Sequence, residues 1–254
     1  MLAFYDAHVR GLPDPLPEGV TAERDGPLVR LVGGHRGFVA APADTGVRGA
    51  VLDRLIARQR DRFAALGQAV EWKTYGHDLP ADLPARLRAA GFEPEDEEAV
   101  LLAPAAEVAA APAPPEGVVL RRVSARADLA RIAAFQSAVW GRDWGWLADD
   151  LAARISADPE GTAVLVAEAA GEVVSAAWLV ARRSRGYAGL WGGSTLPAWR
   201  GRGVYRAMVA ERARLAVGLG VRHLQVDASP DSAPILRRLG FTAVTTTTPY
   251  VWSP

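Results

Sequence analysis

The segment Pro197–Arg206 contains residues whose types and spacing suit the binding of a phosphate or pyrophosphate. It follows a strand-like run at 187–196 and opens a periodic helical run that lasts to about Val217. The first turn of a helix has backbone N–H groups without partners and carries the positive end of the helix dipole. Gly201 and Gly203 have no Cβ to keep an anion away from these amides, and the neighbouring arginines add charged donors. The alternative is an ordinary turn between strand and helix with surface arginines.

The composition limits the classes of protein to consider. Half of the 254 residues are hydrophobic, which is typical of a globular chain. The length suits one large domain or two ordinary ones. The formal net charge is zero, which gives no support to nucleic-acid binding. The absence of cysteine excludes disulfides, thiolate metal sites and a cysteine nucleophile, and the histidines lack metal-ligand spacing, so no metal is expected. There is neither an apolar run long enough to span a membrane nor an apolar signal core at the N-terminus, which favours a cytoplasmic protein without a membrane partner.

A proline- and alanine-rich stretch divides the chain into two parts. Residues 104–117 predict a linker between a domain at 1–103 and a domain at 118–254. Each part has a long helix that ends before a glycine, then a strand, a short helix capped by Gly-Phe, and a closing strand. Either the two parts are a duplication, or two similar αβ units arose by chance.

The first part lacks the phosphate-binding pattern. Matching the two parts at the proline that begins each turn places Thr45 at the position of Arg200. Arg48 likewise takes the position of Gly203, where a bulky side chain would obstruct an anion. We therefore expect the first domain to have the fold without the phosphate turn.

The second part has a regular order of elements. Periodicity and turn signals predict the order β-α-α-β-β-β-α-β-α-β-β. The strands are predicted at 118–121, 162–169, 172–181, 187–196, 221–226, 241–244 and 247–252.

Residues 118–252 resemble the GNAT superfamily of acyl-CoA-dependent N-acetyltransferases. The resemblance is carried by Thr195–Tyr205 and by Ser232–Phe241, which ends in Leu-Gly-Phe. The family's turn has the pattern Gln/Arg-x-x-Gly-x-Gly/Ala; Arg200 and Gly203 match it, whereas Tyr205 replaces the last small residue. With the repeat, the resemblance implies an α+β fold with α/β-type layers: two GNAT-like domains, each a mixed, mostly antiparallel sheet flanked by helices.

The resemblance also implies acetyl-CoA as co-substrate. The amides of the turn would hold its pyrophosphate, and the strand edge at 194–196 would pair with the pantetheine arm. This strand would diverge from strand 221–227, with the acyl group in the gap. The cofactor-binding residues implied are Ser194, Thr195, Leu196, Arg200, Gly201, Arg202, Gly203, Val204, Tyr205 and Arg206.

The catalytic residues are not evident from the sequence. Many family members donate a proton from a tyrosine in the short helix before Gly-Phe, where this chain has Leu236. The strand before the turn has no carboxylate to act as a base. The remaining catalytic candidates are Tyr205, Tyr250 and Asp227; their alternative roles are packing for the tyrosines and a cap or turn for the aspartate.

A tryptophan-rich loop is the candidate for acceptor binding. Trp140, Trp144 and Trp146, with Asp143 among them, can form an aromatic wall with a polar group for an amine. Equally, they can form a plug between helices or domains.

Together these patterns predict an N-acetyltransferase that acts on the amine of a small molecule, as a monomer or homodimer. The alternative is a non-catalytic acyl-CoA-binding regulatory module, which the missing tyrosine and carboxylate suggest. A different nucleotide-binding protein is disfavoured, because the chain has neither a Gly-Lys-Ser/Thr ending nor a Gly-x-Gly-x-x-Gly turn after an early strand.

Overall fold

The C-terminal strand of the chain pairs with residues from its N-terminal half in this computed structural model, which describes residues 1–13, 16–110 and 113–254. Two compact units result. The first contains Met1–Val100, Asp227–Pro230 and Ala243–Pro254, and the second contains Leu101–Val226 and Asp231–Thr242. Each unit thus includes a segment from the other half of the sequence, so the predicted boundaries at 103 and 118 do not coincide with the limits of the units.

The elements of the described residues are as follows. The strands are β1 (Thr21–Asp25), β2 (Leu28–Val32), β3 (Gly37–Ala40), β4 (Val70–Tyr75), β5 (Glu93–Pro94), β6 (Glu98–Pro104), β7 (Val119–Val123), β8 (Thr162–Ala169), β9 (Glu172–Arg182), β10 (Tyr187–Thr195), β11 (His223–Ala228) and β12 (Thr242–Trp252). The helices are α1 (Leu2–Phe4), α2 (Gly49–Ala65), α3 (Leu83–Ala89), α4 (Ala105–Ala109), α5 (Arg126–Trp140), α6 (Leu147–Ala157), α7 (Val204–Gly218) and α8 (Ala233–Arg238). A π-helical turn covers Tyr5–Val9, and 3₁₀ turns cover Arg183–Arg185 and Pro197–Trp199.

The first unit is built on a mixed sheet. Strands β1, β2 and β3 are antiparallel, and β3 runs parallel to β4 with α2 as the crossover. Helix α2 buries a stripe at helical spacing that includes Leu52, Ile56 and Phe63. Strand β12 is antiparallel to β4 from Thr247 opposite Tyr75 to the end of the strand.

The two closing strands predicted at 241–244 and 247–252 are one continuous strand. The threonines at 245–248 continue this strand: Thr247 is buried and its Oγ1 donates to the carbonyl of Thr74 at 2.9 Å. Pairing with β4, together with the β-branched side chains, keeps the backbone extended there.

The second unit is also built on a mixed sheet. Strands β7, β8, β9 and β10 are antiparallel, and β10 begins parallel to β11 with α7 as the crossover. Helices α5 and α6 contribute to one hydrophobic cluster with β8 and β9, and α7 contributes to another. The sheet is therefore covered on both faces, as its apolar strands require.

Part of the predicted linker is helical. Residues 105–109 form α4, with Ala105 and Val108 buried, and the Ala105 amide donates to the carbonyl of Arg222 at 2.9 Å. The linker prediction is wrong for these residues because alanine favours a helix wherever one face can be buried. Residues 111 and 112 of the predicted linker lie outside the described residues.

The repeated Gly-Phe ends have the same geometry. Gly91 and Gly240 are left-handed, with φ of +88° and +96°. In each case the following Phe amide donates to a carbonyl five residues back, from Phe92 to Leu87 at 3.0 Å and from Phe241 to Leu236 at 3.1 Å. The predicted equivalence of these helix ends is confirmed, whereas duplication of a whole domain stays a prediction.

Two features are absent from the described ranges. No helix there is both long and apolar enough to cross a membrane. No three His, Cys, Asp or Glu side chains are grouped there as a metal site would need.

Candidate functional site

The predicted phosphate turn is a sharp connection between β10 and α7. After the 3₁₀ turn at Pro197–Trp199 the chain reaches Gly201 with φ of +75° and Gly203 with φ of +90°. Residues with a Cβ rarely adopt these left-handed conformations, so both positions favour glycine. Gly203 is the N-cap from which α7 begins at Val204, whose side chain is buried.

The amides of this turn are available to a ligand. Among the described residues, the first α7 amide with a backbone acceptor is that of Ala207, which donates to the Gly203 carbonyl at 3.1 Å. No side chain caps the helix. In the part of the chain that the structure describes, the N–H groups of residues 201–206 therefore have no backbone acceptor, and they lie at the positive end of the helix dipole, as suits an anion site.

The three predicted arginines are exposed around the turn. Arg200 Nε donates to the carbonyl of Thr195 at 3.2 Å and so fixes the end of β10. The guanidinium of Arg202 lies over the ring of Trp199, 4.8 Å from its centroid. Arg206 lies in the first turn of α7, beside the amides.

The turn before α2 in the first unit differs from the turn before α7. Arg48 is the N-cap of α2, in the place that Gly203 has for α7. Its guanidinium pairs with the Asp44 carboxylate at 2.9 Å, and that carboxylate accepts from the Gly46 amide at 2.8 Å. The Gly46 amide and Arg48 hold the pKa of Asp44 below its usual value. This turn already contains a carboxylate, which opposes binding of a second anion.

Strand β10 separates from β11 before it reaches the turn. Its register with β11 runs only from Tyr187 opposite His223 to Gly189 opposite Gln225, whereas its pairing with β9 continues to Thr195. In the part of the chain that the structure describes, the β11 side of residues 190–195 is therefore an unpaired edge. The predicted divergence of the two strands is confirmed.

A β-bulge lies in the divergent part of β10. The register with β9 shifts between Trp191 and Ser194, and Gly192 has φ of +62°. A Cβ on Gly192 would overlap the ring of Trp178, and a Cβ on Gly193 would lie 2.9 Å from the Tyr205 ring. Bulges bend a strand and redirect its groups, and they are frequent beside active sites.

A buried amide side chain holds the bulge. Gln136, 1% exposed on α5, donates through Nε2 to the Gly192 carbonyl at 2.7 Å. Its Oε1 accepts from Ser194 Oγ at 2.8 Å and from Trp140 Nε1 at 3.0 Å. The sequence interpretation missed Gln136, although a polar residue on the apolar face of a predicted helix was a usable signal.

The side chains of the predicted strand residues face the protein. Ser194 and Thr195 are buried, and Ser175 Oγ contacts both the Ser194 carbonyl at 2.6 Å and Thr195 Oγ1 at 3.1 Å. The Leu196 amide donates to the carbonyl of Val174 at 3.0 Å. Any contribution of Ser194 and Thr195 to ligand binding would come from the backbone.

The three catalytic candidates belong to different units. Tyr205 lies in the first turn of α7, in the second unit. Tyr250 is buried on β12 in the first unit. Asp227 is also in the first unit, and its Oδ2 lies 2.6 Å from Lys73 Nζ. The cap alternative for Asp227 is wrong, because the residue is within β11 and Ser232 is the N-cap of α8.

A buried cation lies close to Tyr205. Burial raises the pKa of the Tyr205 hydroxyl, while Arg212 and the bond to Ser232 act in the opposite direction. Arg212 is 1% exposed and donates through Nη1 to the carbonyls of Trp178 at 3.4 Å and Trp191 at 3.3 Å. Burial lowers the pKa of Arg212 to about 10, so its guanidinium is charged at neutral pH.

The tryptophan loop divides into two parts. Trp144 and Trp146 stack with centroids 5.3 Å apart and pack on the cluster formed with α5 and α6. Asp143 Oδ1 accepts from the Gly145 amide at 2.7 Å, as in a local turn. These contacts support the interhelical alternative for Trp144 and Trp146. Trp140 differs, since it is 54% exposed and its Nε1 lies 3.0 Å from Ser194 Oγ.

The phosphate turn lies within a region that matches the model of a known protein family. Residues 128–241 match the model of the acetyltransferase (GNAT) family. This range contains the divergent strand β10, the glycine turn and the Gly-Phe end of α8. The matched range covers less than half of the chain, and over that range this chain is similar to the GNAT acetyltransferases.

Solved structures share the fold over nearly the whole chain. A GCN5-related N-acetyltransferase from Kribbella flavida has a TM-score of 0.70 at 20% identity, over 93% of this chain and 90% of its own. A functionally unknown conserved protein from Staphylococcus epidermidis has a TM-score of 0.69 at 12% identity, over 94% and 96%. A tandem GNAT protein from the clavulanic acid biosynthesis pathway has a TM-score of 0.62 at 15% identity, over 93% and 84%. Among curated proteins, none matches this chain.

Proposed function

We propose that the protein is an acyl-CoA-dependent N-acyltransferase, which transfers an acetyl group from acetyl-CoA to the amine of a small molecule. The observation that carries this proposal is the separation of β10 from β11 after Gly189, directly before a glycine turn whose amides are open to an anion. An unpaired strand edge next to an anion site suits a ligand with an amide-containing arm and a pyrophosphate.

In this proposal the second unit binds and orients the co-substrate. The amides of residues 201–206 hold the pyrophosphate, with Arg206 adjacent, and the backbone of Ser194 to Leu196 pairs with the pantetheine arm. The thioester then lies beside the bulge at Gly192 and Gly193. Holding the thioester and a neutral amine together contributes rate through proximity, and nearby N–H groups polarise the carbonyl.

The turn of the first unit has a different role in this proposal. Arg48 and Asp44 occupy the region where an anion would approach the start of α2. We therefore assign a single acyl-CoA site to the chain, in the second unit, with the first unit as a scaffold.

Calorimetric titration with acetyl-CoA tests this assignment. Gly203→Glu places a carboxylate at the start of α7 and should abolish binding. Gly49→Glu is the matched control at the start of α2, because Gly49 is also left-handed, with φ of +53°, and has nothing within 4 Å of a Cβ. Circular dichroism establishes that both variants fold. Wild-type affinity in Gly203→Glu, or loss of binding in Gly49→Glu alone, would contradict the proposal.

The second candidate function is a non-catalytic acyl-CoA-binding regulator. Leu236 is fully buried and aliphatic, and β10 contains no carboxylate. A panel of primary amines, with release of free thiol as the readout, separates the two functions. Thiol release above the rate of acetyl-CoA hydrolysis excludes a purely regulatory role, whereas tight binding without release excludes the enzyme.

A further inference from the structure

A cleft of about 550 Å³ opens on one face of the first unit. Its floor consists of alternate residues of β12, which are Thr246, Thr248 and Tyr250. The end of β4 and the segment 94–97 border this strand, and α3 contributes Pro84 and Arg88. Helix α3 packs on the core beside Tyr250, whereas the short threonine side chains beyond it leave the space open. Sites for small molecules typically have this size.

Tyr250 is a buried residue of this cleft whose hydroxyl is available to a ligand. The residue is 3% exposed, and Tyr250 Oη has no hydrogen-bond partner among the residues that the structure describes. Buried tyrosine hydroxyls usually have such a partner. Oη is also not one of the fully buried atoms without a partner, so it is not sealed within the core. Because Tyr250 lines the cleft, its hydroxyl can donate a hydrogen bond to a ligand there.

The charged side chains that line the cleft are of both signs. Arg88 is exposed on α3, and its Cζ lies 5.4 Å from the centroid of the Tyr250 ring. Of the three acidic residues, Glu95 is already paired with an arginine at 3.2 Å. Asp96 and Glu97 are exposed, and over the described ranges neither they nor Arg88 form an ion pair. Separate, unpaired charges of both signs are complementary to a ligand that carries both.

We propose that this cleft binds a small zwitterion of the α-amino-acid class. Arg88 and the Tyr250 hydroxyl bind the carboxylate of the ligand, since a guanidinium next to a phenol offers several donors to one anion. Asp96 and Glu97 bind its ammonium group. Pro84 and the Tyr250 ring provide apolar surface for its side chain. None of these residues is part of the acyl-CoA site proposed above, so the inference does not depend on the acyl transfer.

Calorimetric titration with L-phenylalanine, without acyl-CoA, tests the choice of ligand class. Phenethylamine lacks the carboxylate and 3-phenylpropionate lacks the ammonium group, while both keep the phenyl ring. L-Phenylalanine should bind at least about tenfold more tightly than either analogue, because each analogue loses one charge-assisted contact. Equal binding of phenethylamine or of 3-phenylpropionate would show a site for a single charge and overturn the inference. It is also overturned if neither L-phenylalanine nor L-leucine binds saturably.

Substitution of the exposed arginine locates the bound carboxylate. Arg88→Gln should weaken the binding of L-phenylalanine about tenfold. Arg86→Gln is the matched control, because Arg86 is on the same helix, pairs with Asp53 at 2.7 Å and is not a lining residue of the cleft. The control should bind L-phenylalanine with wild-type affinity. Unchanged affinity in Arg88→Gln would place the amino acid elsewhere and overturn the inference.

The acidic residues are tested in the same way. Asp96→Asn/Glu97→Gln should weaken the binding of L-phenylalanine about tenfold and leave the weak binding of 3-phenylpropionate unchanged. Glu93→Gln is the matched control, since Glu93 is exposed on β5 and is not a lining residue of the cleft. Wild-type affinity for L-phenylalanine in the double variant would show that the ammonium group does not meet these carboxylates.

Tyr250→Phe separates a ligand-binding hydroxyl from a structural one, because it removes only that group. The hydroxyl has no partner in the described part of the protein, so the free energy of unfolding should be unchanged, while the affinity for L-phenylalanine should fall about fivefold. A loss of stability with unchanged affinity would show that the hydroxyl bonds within the protein, and would overturn its assignment to the ligand. These titrations contain no acyl-CoA, so their outcome is independent of whether the second unit binds it.

Discussion

The ammonium Nζ of Lys73 lies 2.6 Å from the carboxylate Oδ2 of Asp227, within the first unit and 154 positions away in the sequence. Lys73 is the only lysine of the chain, and both side chains are largely buried, at 15% and 10% exposure. Burial acts to lower the pKa of Lys73, but the Asp227 carboxylate, together with Tyr75 and Glu71, outweighs burial and the pKa lies above its usual value. Lys73 is therefore charged at neutral pH, and this contact gives Asp227 a structural role, whereas a catalytic role for Asp227 stays a prediction.

We predict that Lys73→Met destabilises the protein by about 3–5 kcal/mol, because it leaves Asp227 as a buried charge without its cation. Urea denaturation measures the change in the free energy of unfolding. The double variant Lys73→Met/Asp227→Leu should recover most of the loss. Breaking the exposed pair Arg60–Asp61 with Asp61→Asn is the control and should have almost no effect. Equal losses in Lys73→Met and the double variant would show that the charge is not the cause.

Glu98 should make stability depend on pH. Burial raises its pKa to about 6, and the charges of Asp227 and Glu71 add to this. Because the folded pKa is above the unfolded one of 4.5, the folded state holds more protons between these values. The contribution of Glu98 is therefore complete below pH 4.5 and is lost as pH rises through 6, by about 1–2 kcal/mol. Thermal or urea unfolding between pH 4.5 and 7 should reveal this decline, and Glu98→Gln should abolish it; an equally steep decline in Glu98→Gln would assign it to other groups.

Gly192→Ala should damage the bulge of β10. A residue with a Cβ in this left-handed conformation should lower the free energy of unfolding by about 1–2 kcal/mol. Overlap of the Cβ with the Trp178 ring should lower it by about 1–3 kcal/mol more. Gly171→Ala is the control for backbone strain alone, because Gly171 has φ of +84° and nothing within 4 Å of a Cβ. Chemical denaturation should rank Gly192→Ala as clearly the less stable variant. If the two variants are equally stable, the bulge accommodates the added carbon.

Substitutions of Trp144 and Trp140 should have different effects, the first on stability and the second on ligand binding. Trp144→Ala should cost about 2–3 kcal/mol of unfolding free energy, since the half-buried indole packs between α5 and α6. Trp140→Phe removes a hydrogen-bonded indole N–H from a largely exposed side chain and should change stability by less than about 1 kcal/mol. It should still weaken acetyl-CoA binding a few-fold, because Trp140 Nε1 contacts Ser194 on the proposed cofactor strand. Unfolding and calorimetric titration of both variants check this, and normal binding by a stable Trp140→Phe would exclude that contribution.

Secondary-structure elements were predictable from the sequence where adjacent residues determine their conformation. The hairpin strands predicted at 162–169 and 172–181 are observed at Thr162–Ala169 and Glu172–Arg182. Their patterning and the Ala170–Gly171 turn, with φ of +49° and +84°, depend on adjacent residues. The two glycines of the phosphate turn were recognisable for the same reason, because an unusual backbone conformation restricts the residue type at that position.

Long-range features were not predictable in this way. The identity of Gln136 hinted at a buried polar contact, but not at its acceptor on Gly192, 56 positions later. The sequence predicted a cap or a base at Asp227, because its sequence neighbours suggest a turn. Its partner Lys73 is remote in the sequence. The pairing of β12 with β4 has no local signal either. The strand patterns predicted at 241–244 and 247–252 would suit several different neighbouring strands.

By itself the sequence determined the glycine turn after a strand, the helix that follows it and the paired Gly-Phe helix ends, because backbone conformation and periodicity are encoded within a few residues. Only the tertiary structure decided which segments make up each unit, where β10 leaves β11, and that the Tyr205 ring lies against the bulge of β10. These features depend on contacts between residues far apart in the chain, and such contacts are selected by packing and burial rather than by local propensity.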